Sequence, residues 1–90
     1  MKLGQVVGTV VLSKCIVPYQ GKALHLTQDL NEMLEPCGDP EVSATWQARQ
    51  VGDRVVIEVA REACNAFDPP LPIDAVILGK VDHVHLEADL

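Results

Sequence analysis

Aromatic residues are scarce in this 90-residue chain, which has one tryptophan, one tyrosine and one phenylalanine. Tyr19, Trp46 and Phe67 fall on three separate segments, so they do not form the stacking surface that single-stranded nucleic acid requires. We expect Trp46 and Phe67 to pack in the core or at its edge. No apolar run approaches the roughly 20 residues of a membrane-spanning helix, and the start of the chain lacks the pattern of a secretory signal.

Basic residues are also few. Seven lysines and arginines stand against 13 aspartates and glutamates, which gives a net charge of -6 and a pI of about 4.8. This charge repels phosphate backbones and anionic lipid headgroups alike. We therefore expect a cytosolic protein with neither a nucleic-acid nor a membrane partner, folded as a single domain over residues 1–90.

Cysteine is rare and its spacing fits no metal site. Cys15, Cys37 and Cys64 are odd in number and form no close pairs, and a cytosolic chain keeps its thiols reduced. We expect buried or half-buried thiols that act as small hydrophobic side chains. The sequence predicts neither a metal nor another cofactor.

Valine is the residue type in excess, and it favours sheet over helix. The chain has 13 valines and four isoleucines, whose β-branched side chains suit a pleated surface. Residues 31–41 are polar and interrupted by proline, which predicts a loop, and residues 60–67 have apolar side chains at helical spacing. Apolar alternation predicts five strands, at residues 3–13, 22–29, 42–46, 54–59 and 73–86.

This order of elements predicts an all-β fold, a small five-stranded barrel of the oligonucleotide/oligosaccharide-binding type with one short helix. The first and last strands are apolar on both faces, which a single barrel core cannot cover, so we expect the outer face to meet another copy. Glycines inside a strand are typical of strong bending or close backbone approach. The positions of Gly4, Gly8, Val10 and Asp82 on the two long strands therefore predict contacts between copies, and the alternative is that each serves its own barrel.

One histidine pair is the best candidate for a metal site. His83 and His85 share a strand face by the two-residue period, and Glu87 or Asp89 could supply a carboxylate ligand. The alternative is a pair of exposed or interfacial histidines, because no third ligand stands at a recognisable spacing.

A catalytic thiol has even less support. His25 with Cys15 or Cys64 could form a thiolate–imidazole pair, but nothing in the sequence brings these residues together. A histidine on a pleat face is the simpler interpretation of His25. We therefore expect no enzymatic activity.

Four segments, in order along the chain, resemble a known family. They are the opening MKLGQVVGTVVLSK, then GKAL at residues 21–24, GDRVV at residues 52–56 and PIDAVILGKVD at residues 72–82. Each is similar to a motif of the pentameric vertex proteins of bacterial microcompartment shells, the EutN/CcmL family. The resemblance covers nearly the whole chain, which makes it more specific than any one segment.

Two segments depart from the family pattern. The family carries Gly-Ala-Gly before the Gly-Asp step, in the loop that faces its five-fold axis, where this chain has Ala48, Arg49 and Gln50. The family's G-S-x-A-R segment is replaced by AREAC at residues 60–64. These differences indicate a divergent member whose axial loop is bulkier and carries a positive charge.

The resemblance implies a structural shell protein located in the cytoplasm. It implies a homopentamer that caps the vertices of a microcompartment, with hexameric shell proteins as partners and with no catalysis. The residues themselves leave two alternatives open. One is a monomeric barrel that binds an oligonucleotide or acts as an adaptor, and the other is a metal protein that uses His83 and His85.

Overall fold

A computed structural model describes residues 1–85 of the chain. Five strands form one closed barrel in the order β1-β2-β3-β5-β4, antiparallel throughout except for the β3–β5 pair. This arrangement confirms the predicted five-stranded barrel with one short helix. The elements are β1 (Lys2–Val10), a 3-10 turn (Val17–Tyr19), β2 (Ala23–Leu30), β3 (Pro36–Thr45), β4 (Arg54–Val59), α1 (Ala60–Cys64) and β5 (Ala75–Lys80).

Small aliphatic side chains form two apolar clusters. The first lies inside the barrel and consists of Val6, Val55, Ile57, Ala75 and Ile77. The second lies where α1 and the following segment cover the sheet, and consists of Leu24, Ala44, Ala63, Phe67, Leu71 and Val76. A narrow barrel has room only for small side chains, which explains why the core contains valine and alanine and few rings.

One wall of the barrel interior is polar. His25, Thr27, Ser43 and Thr45 are each at most 2% exposed. Thr27 is the cross-strand partner of the buried Val6, so the two side chains project to the same inner face. The hydroxyls of Thr27 and Ser43 lie 2.7 Å apart and hydrogen-bond to each other, which satisfies two of these buried groups.

An ion-pair cluster lies at the start of β1. Lys2 Nζ lies 2.9 Å from Asp29 Oδ1 and 3.1 Å from Glu41 Oε1. The hydrogen bond to Asp29 is the largest cause that raises the pKa of Lys2 above 10.5, with Glu41 adding to it and partial burial opposing it. The cluster joins β1 to β2 and β3, which together are three of the five strands of the barrel.

The predicted loop at residues 31–41 is wrong, because β3 already begins at Pro36. Pro36 pairs with Leu30 and Cys37 with Asp29, after which the register shifts and pairing resumes at Glu41. Pro40 lies in the shifted stretch, where a missing N–H removes no ladder bond. The prolines therefore indicated an irregular strand and not the absence of one.

Three other elements are shorter than predicted. β1 ends at Val10 and not at residue 13, since the next residue, Val11, is 86% exposed. β5 covers Ala75–Lys80 and not residues 73–86, of which residue 86 lies outside the described part. Helix α1 ends at Cys64 and not at residue 67. β5 does not begin at Ile73 because the Ile73 N–H donates to the Leu71 carbonyl and not to a neighbouring strand.

The cysteines differ in exposure. Cys37 and Cys64 are half-buried, as predicted, whereas Cys15 is exposed, so the prediction of a buried thiol is wrong for Cys15. Its position after the end of β1, in a segment that leaves the barrel, is the reason. All three thiols are free, and no helix within residues 1–85 is long and apolar enough to cross a membrane.

Candidate assembly interface

A small apolar patch lies on the outer surface of the β1–β4 pair. Leu3 and Val56 are cross-strand partners, and both point away from the interior that Val55 and Ile57 fill. With the 77% exposed Met1, they line a shallow depression of about 210 Å³. We call Met1, Leu3 and Val56 the β1–β4 outer face. Met1 is exposed and Leu3 and Val56 are half-buried, so the patch is partly accessible, and accessible apolar patches mark interaction sites on soluble proteins.

A second apolar surface follows the end of β1. Within residues 11–17 four aliphatic side chains are largely exposed, namely Val11, Leu12, Ile16 and Val17, with exposures of 86%, 47%, 56% and 75%. We call residues 11–17 the post-β1 segment. Several exposed aliphatic side chains in one short segment are typical of an interaction surface.

The β1–β4 outer face could be predicted only in part from the sequence, and the post-β1 segment could not. Leu3 lies on the parity of β1 opposite to the core residue Val6, as expected for a strand that is apolar on both faces, whereas Val56 shares its parity with the charged Arg54 and Glu58. The strand glycines Gly4 and Gly8 lie on the other parity of β1, so a prediction based on them does not include Leu3. The sequence did not predict that the post-β1 segment is exposed, because its apolar residues directly continue the apolar pattern of β1.

Gly4 is buried within its own chain. A Cβ atom on Gly4 would overlap Ile57 Cδ1 and would lie 3.1 Å from the Gln28 carbonyl oxygen. The absence of a side chain at this position therefore has a cause inside the barrel. The predicted role of Gly4 in a contact between copies stays a prediction.

The other predicted contact residues differ in their surroundings. A Cβ on Gly8 would lie 3.2 Å from Leu26 Cδ1, a tight contact within the chain. Val10 is half-buried and packs against the cluster beneath α1. Asp82 is exposed just beyond β5, where the preceding N–H of Val81 bonds to the Arg54 carbonyl. Only Asp82 thus presents a side chain mainly to the outside.

The predicted axial loop is fastened to the barrel at several points. The Arg49 N–H donates to His25 Nε2 at 2.9 Å, and the Gln50 N–H donates to Asp53 Oδ2 at 3.0 Å. After the loop, the Gly52 N–H donates to the Val6 carbonyl at 2.8 Å. These bonds hold the backbone while the side chains of Ala48 and Gln50 stay exposed. The loop is therefore a fixed feature of the surface.

The His25 side chain forms a hydrogen bond to the axial loop, in addition to lying on a strand face as predicted. Because Nε2 accepts the Arg49 N–H, the proton of the neutral ring is on Nδ1. His25 and Cys15 line the same cavity of about 320 Å³, a proximity that the sequence did not reveal. Because Nε2 accepts a hydrogen bond from the loop backbone, we interpret the His25 ring as a structural group that stabilises the loop.

The histidines at the end of the described chain lie near each other. The rings of His83 and His85 are stacked with centroids 6.5 Å apart. Within residues 1–85, no group of three or more His, Cys, Asp or Glu side chains is arranged to hold a metal ion. The carboxylates proposed with them, Glu87 and Asp89, lie outside the described residues.

Two of the three aromatic rings meet, although they are distant in the sequence. Trp46 and Phe67 have centroids 4.5 Å apart, and Lys22 Nζ lies 5.6 Å from the centre of the Phe67 ring. Phe67 is 4% exposed and Trp46 is 48% exposed, so one ring is in the core and the other at its edge, as predicted. The Tyr19 hydroxyl instead donates to the Pro72 carbonyl.

Comparison with known proteins covers almost the full chain. The profile of the family described as "Ethanolamine utilisation protein EutN/carboxysome" matches residues 1–82. No curated protein sequence matches the chain.

Solved structures give the same result for the fold. GrpN, a pentameric microcompartment shell protein from Rhodospirillum rubrum, is 30% identical with a TM-score of 0.82, covering 97% of this chain and 99% of that chain. CcmL from Gloeobacter violaceus is 28% identical with a TM-score of 0.85, covering 97% and 91%. EutN from Escherichia coli is 23% identical and shares the fold with a TM-score of 0.88 over 96% and 89%. The chain belongs to the EutN/CcmL family.

Proposed function

We propose that this protein is a structural shell protein that forms a homopentamer at the vertices of a bacterial microcompartment. The observation that carries the proposal is the end-to-end similarity to GrpN, a pentameric microcompartment shell protein, over 97% of this chain and 99% of that one. The protein would act by shape, as the five-fold unit that lets flat hexagonal layers close.

The exposed apolar surfaces fit a cyclic ring. In a cyclic ring, one surface of each copy packs against a different surface of the next copy. The ring closes when the rotation angle between neighbouring copies is a whole-number fraction of a full turn. The β1–β4 outer face and the post-β1 segment lie at opposite ends of the nine-residue β1, which spans about 27 Å. We propose that the outer face of one copy packs against the post-β1 segment of the next.

The remaining predicted contacts are assigned within this ring. Gly4, Gly8, Val10 and Asp82 stay candidates for contacts between copies, and the loop at residues 48–50 is the candidate for the five-fold axis. In that position, the exposed Ala48 and Gln50 would face the axis, and Arg49 would place five positive charges around it. A loop of this bulk would narrow an axial opening relative to one built from glycine.

The location and partners follow from this assignment. The protein would reside in the microcompartment shell within the cytoplasm and contact hexameric shell proteins along the edges of the pentamer. It would have no catalytic role, since a vertex unit closes the shell and does not convert a substrate.

Native mass spectrometry, together with class averages from electron microscopy, tests the proposal. At micromolar concentration we expect one dominant species with the mass of five chains and averages with five-fold symmetry. A specific ring contact would bury on the order of 800 Å² per partner or more, enough to persist at this concentration. A monomer as the only species, or a ring of another size, would contradict the proposal.

A further inference from the structure

Trp46 is the largest apolar side chain of the protein, and 48% of it is exposed. The indole contacts the Phe67 ring, with the two centroids 4.5 Å apart. Phe67 is 4% exposed and belongs to the apolar cluster beneath α1, so the indole rests on a close-packed part of the core. Trp46 is therefore held in a fixed position while half of its surface remains in water.

The surface around Trp46 continues the post-β1 segment. Trp46 lines a pocket of about 370 Å³ together with Val17, the last residue of that segment, and the adjacent Pro18. Val17 is 75% exposed. The remaining lining residues are Lys22, Phe67, Asp68 and Pro69. Trp46 thus belongs to the same apolar surface that we assign to the ring contact.

The charges around this pocket favour an apolar partner. Lys22 brings one positive charge and Asp68 one negative charge, so the two offset each other. The Lys22 ammonium also lies 5.6 Å from the centre of the Phe67 ring, at the distance of a cation–π contact. The rest of the lining is aliphatic, aromatic or proline. A protein surface with apolar side chains suits this pocket better than an ionic ligand.

A ring contact needs more surface than the post-β1 segment supplies. A specific contact buries on the order of 800 Å² per partner and involves about 20–30 residues on each side. The post-β1 segment covers only residues 11–17, so neighbouring surface must take part. A buried aromatic side chain contributes about 150–250 Å², so the exposed half of Trp46 can add about 100 Å². This amount makes Trp46 the obvious extension of the contact.

The β1–β4 outer face has a recess for such a side chain. Met1, Lys2, Leu3 and Val56 line its depression of about 210 Å³. A cavity of about 150 Å³ can hold a benzene ring, so this depression has room for a large part of an indole. The thioether of Met1 is also a favourable neighbour for an aromatic ring.

We propose that Trp46 is an anchor residue of the ring contact, and that its indole inserts into the β1–β4 outer face of the neighbouring copy. This inference rests on the proposed pentamer and identifies the residue that holds each pair of neighbours together. Tryptophan in a recess at the centre of a contact commonly supplies a large share of the binding energy. Because Phe67 already fixes the indole, little conformational entropy is lost when the ring forms.

Intrinsic fluorescence tests the proposal directly, because Trp46 is the only tryptophan. In the assembled ring we expect emission at a shorter wavelength than in the Val56→Glu variant. Acrylamide should quench the ring at least about twofold less efficiently, since half of the side chain is exposed in a single chain. Dilution of the wild type until the ring dissociates should produce the same two changes. Emission and quenching that stay constant on dissociation would overturn the proposal, whether Trp46 remains exposed in the ring or covered in the monomer.

Substitution of the anchor is a second test. Trp46→Ala should raise the concentration of half-assembly at least about 30-fold, the size of a hot-spot effect. Trp46→Phe keeps a ring against Phe67 but fills less of the recess, so its effect should be intermediate. Met33→Ala, which truncates a 73% exposed side chain on the β2–β3 turn, is the control and should stay within about twofold.

Circular dichroism confirms that each variant is folded, and native mass spectra report the ring itself. Trp46→Ala and Trp46→Phe rings that assemble like the wild type would overturn the anchor role. A wild-type ring with a solvent-exposed Trp46 would contradict this inference alone, whereas a wild type that is only monomeric would contradict the pentamer as well.

Discussion

Ile57 Cδ1 occupies the space that a side chain on Gly4 would need, which ties β1 to β4 at the centre of the barrel. Ile57 is fully buried and packs against Val6 and Val55, so its end has little freedom to move. We predict that Gly4→Ala lowers the free energy of unfolding by about 1–3 kcal/mol through overpacking. Urea denaturation at fixed protein concentration measures the change.

Two further variants identify the cause. Gly79→Ala is the matched control, since a Cβ there meets nothing within 4 Å, and we expect a change within about 0.5 kcal/mol. Ile57→Val removes Cδ1, so the double variant with Gly4→Ala should be more stable than the sum of the two single changes predicts. Additive effects would show that Gly4 serves another purpose, such as a contact between copies.

The contact between Gly4 and Ile57 also shows which features of the fold can be predicted from the sequence. The strand glycines correctly indicated close approach, but the period of a strand does not say whether the approaching group belongs to the same chain. The barrel with its short helix followed from valine content and alternation, whereas the start of β3 was missed because Pro36 and Pro40 obscured it. A bulged register can absorb a proline, and only the partner strand reveals the bulge.

The candidate site was less accessible to sequence reasoning. The loop at residues 48–50 was located by family resemblance alone, and its bond to His25 joins residues 24 positions apart. No local pattern encodes such a contact, because it depends on how β3 and the loop return across the barrel end. The meeting of Trp46 with Phe67 has the same origin.

The Lys2 cluster predicts a dependence of stability on pH. The hydrogen bond to Asp29 raises the pKa of Lys2 above 10.5, so the folded state holds this proton more tightly than the unfolded state. Its contribution to stability is therefore complete below pH 10.5 and is lost as the pH rises through the higher pKa of the folded state. Because about a third of the Lys2 side chain is exposed, Lys2→Met should cost only about 0.5–1 kcal/mol at neutral pH.

Urea denaturation of wild type and Lys2→Met at neutral pH and at strongly alkaline pH checks this. The difference between the two proteins should shrink at alkaline pH, where both lack the charge. Arg61→Met, which removes an exposed positive charge outside the post-β1 segment, serves as the control and should show no such convergence. A difference that is constant with pH would show that the stem of Lys2, and not its charge, stabilises the fold.

The proposed ring contact predicts the effect of charge on the β1–β4 outer face. Val56 points outward between the buried Val55 and Ile57, so Val56→Glu leaves the barrel core intact. A carboxylate buried against the post-β1 segment of a neighbour would cost several kcal/mol without a partner. Sedimentation velocity should therefore show monomers, with the circular dichroism of a folded barrel. Met33→Glu changes a 73% exposed side chain on the β2–β3 turn and should leave the ring intact.

The polar wall of the barrel interior gives the last prediction. The hydroxyls of Thr27 and Ser43 bond to each other at 2.7 Å, and Thr27 Oγ1 has a second, longer contact of 3.4 Å to the Glu41 carbonyl. Ser43→Ala removes one partner from a fully buried hydroxyl and should cost about 1–3 kcal/mol. Thr27→Val with Ser43→Ala removes both polar groups, so the pair should cost less than the sum of its single changes. Urea denaturation of the four proteins in this cycle measures the coupling, and strict additivity would mean that the two hydroxyls stabilise the barrel independently.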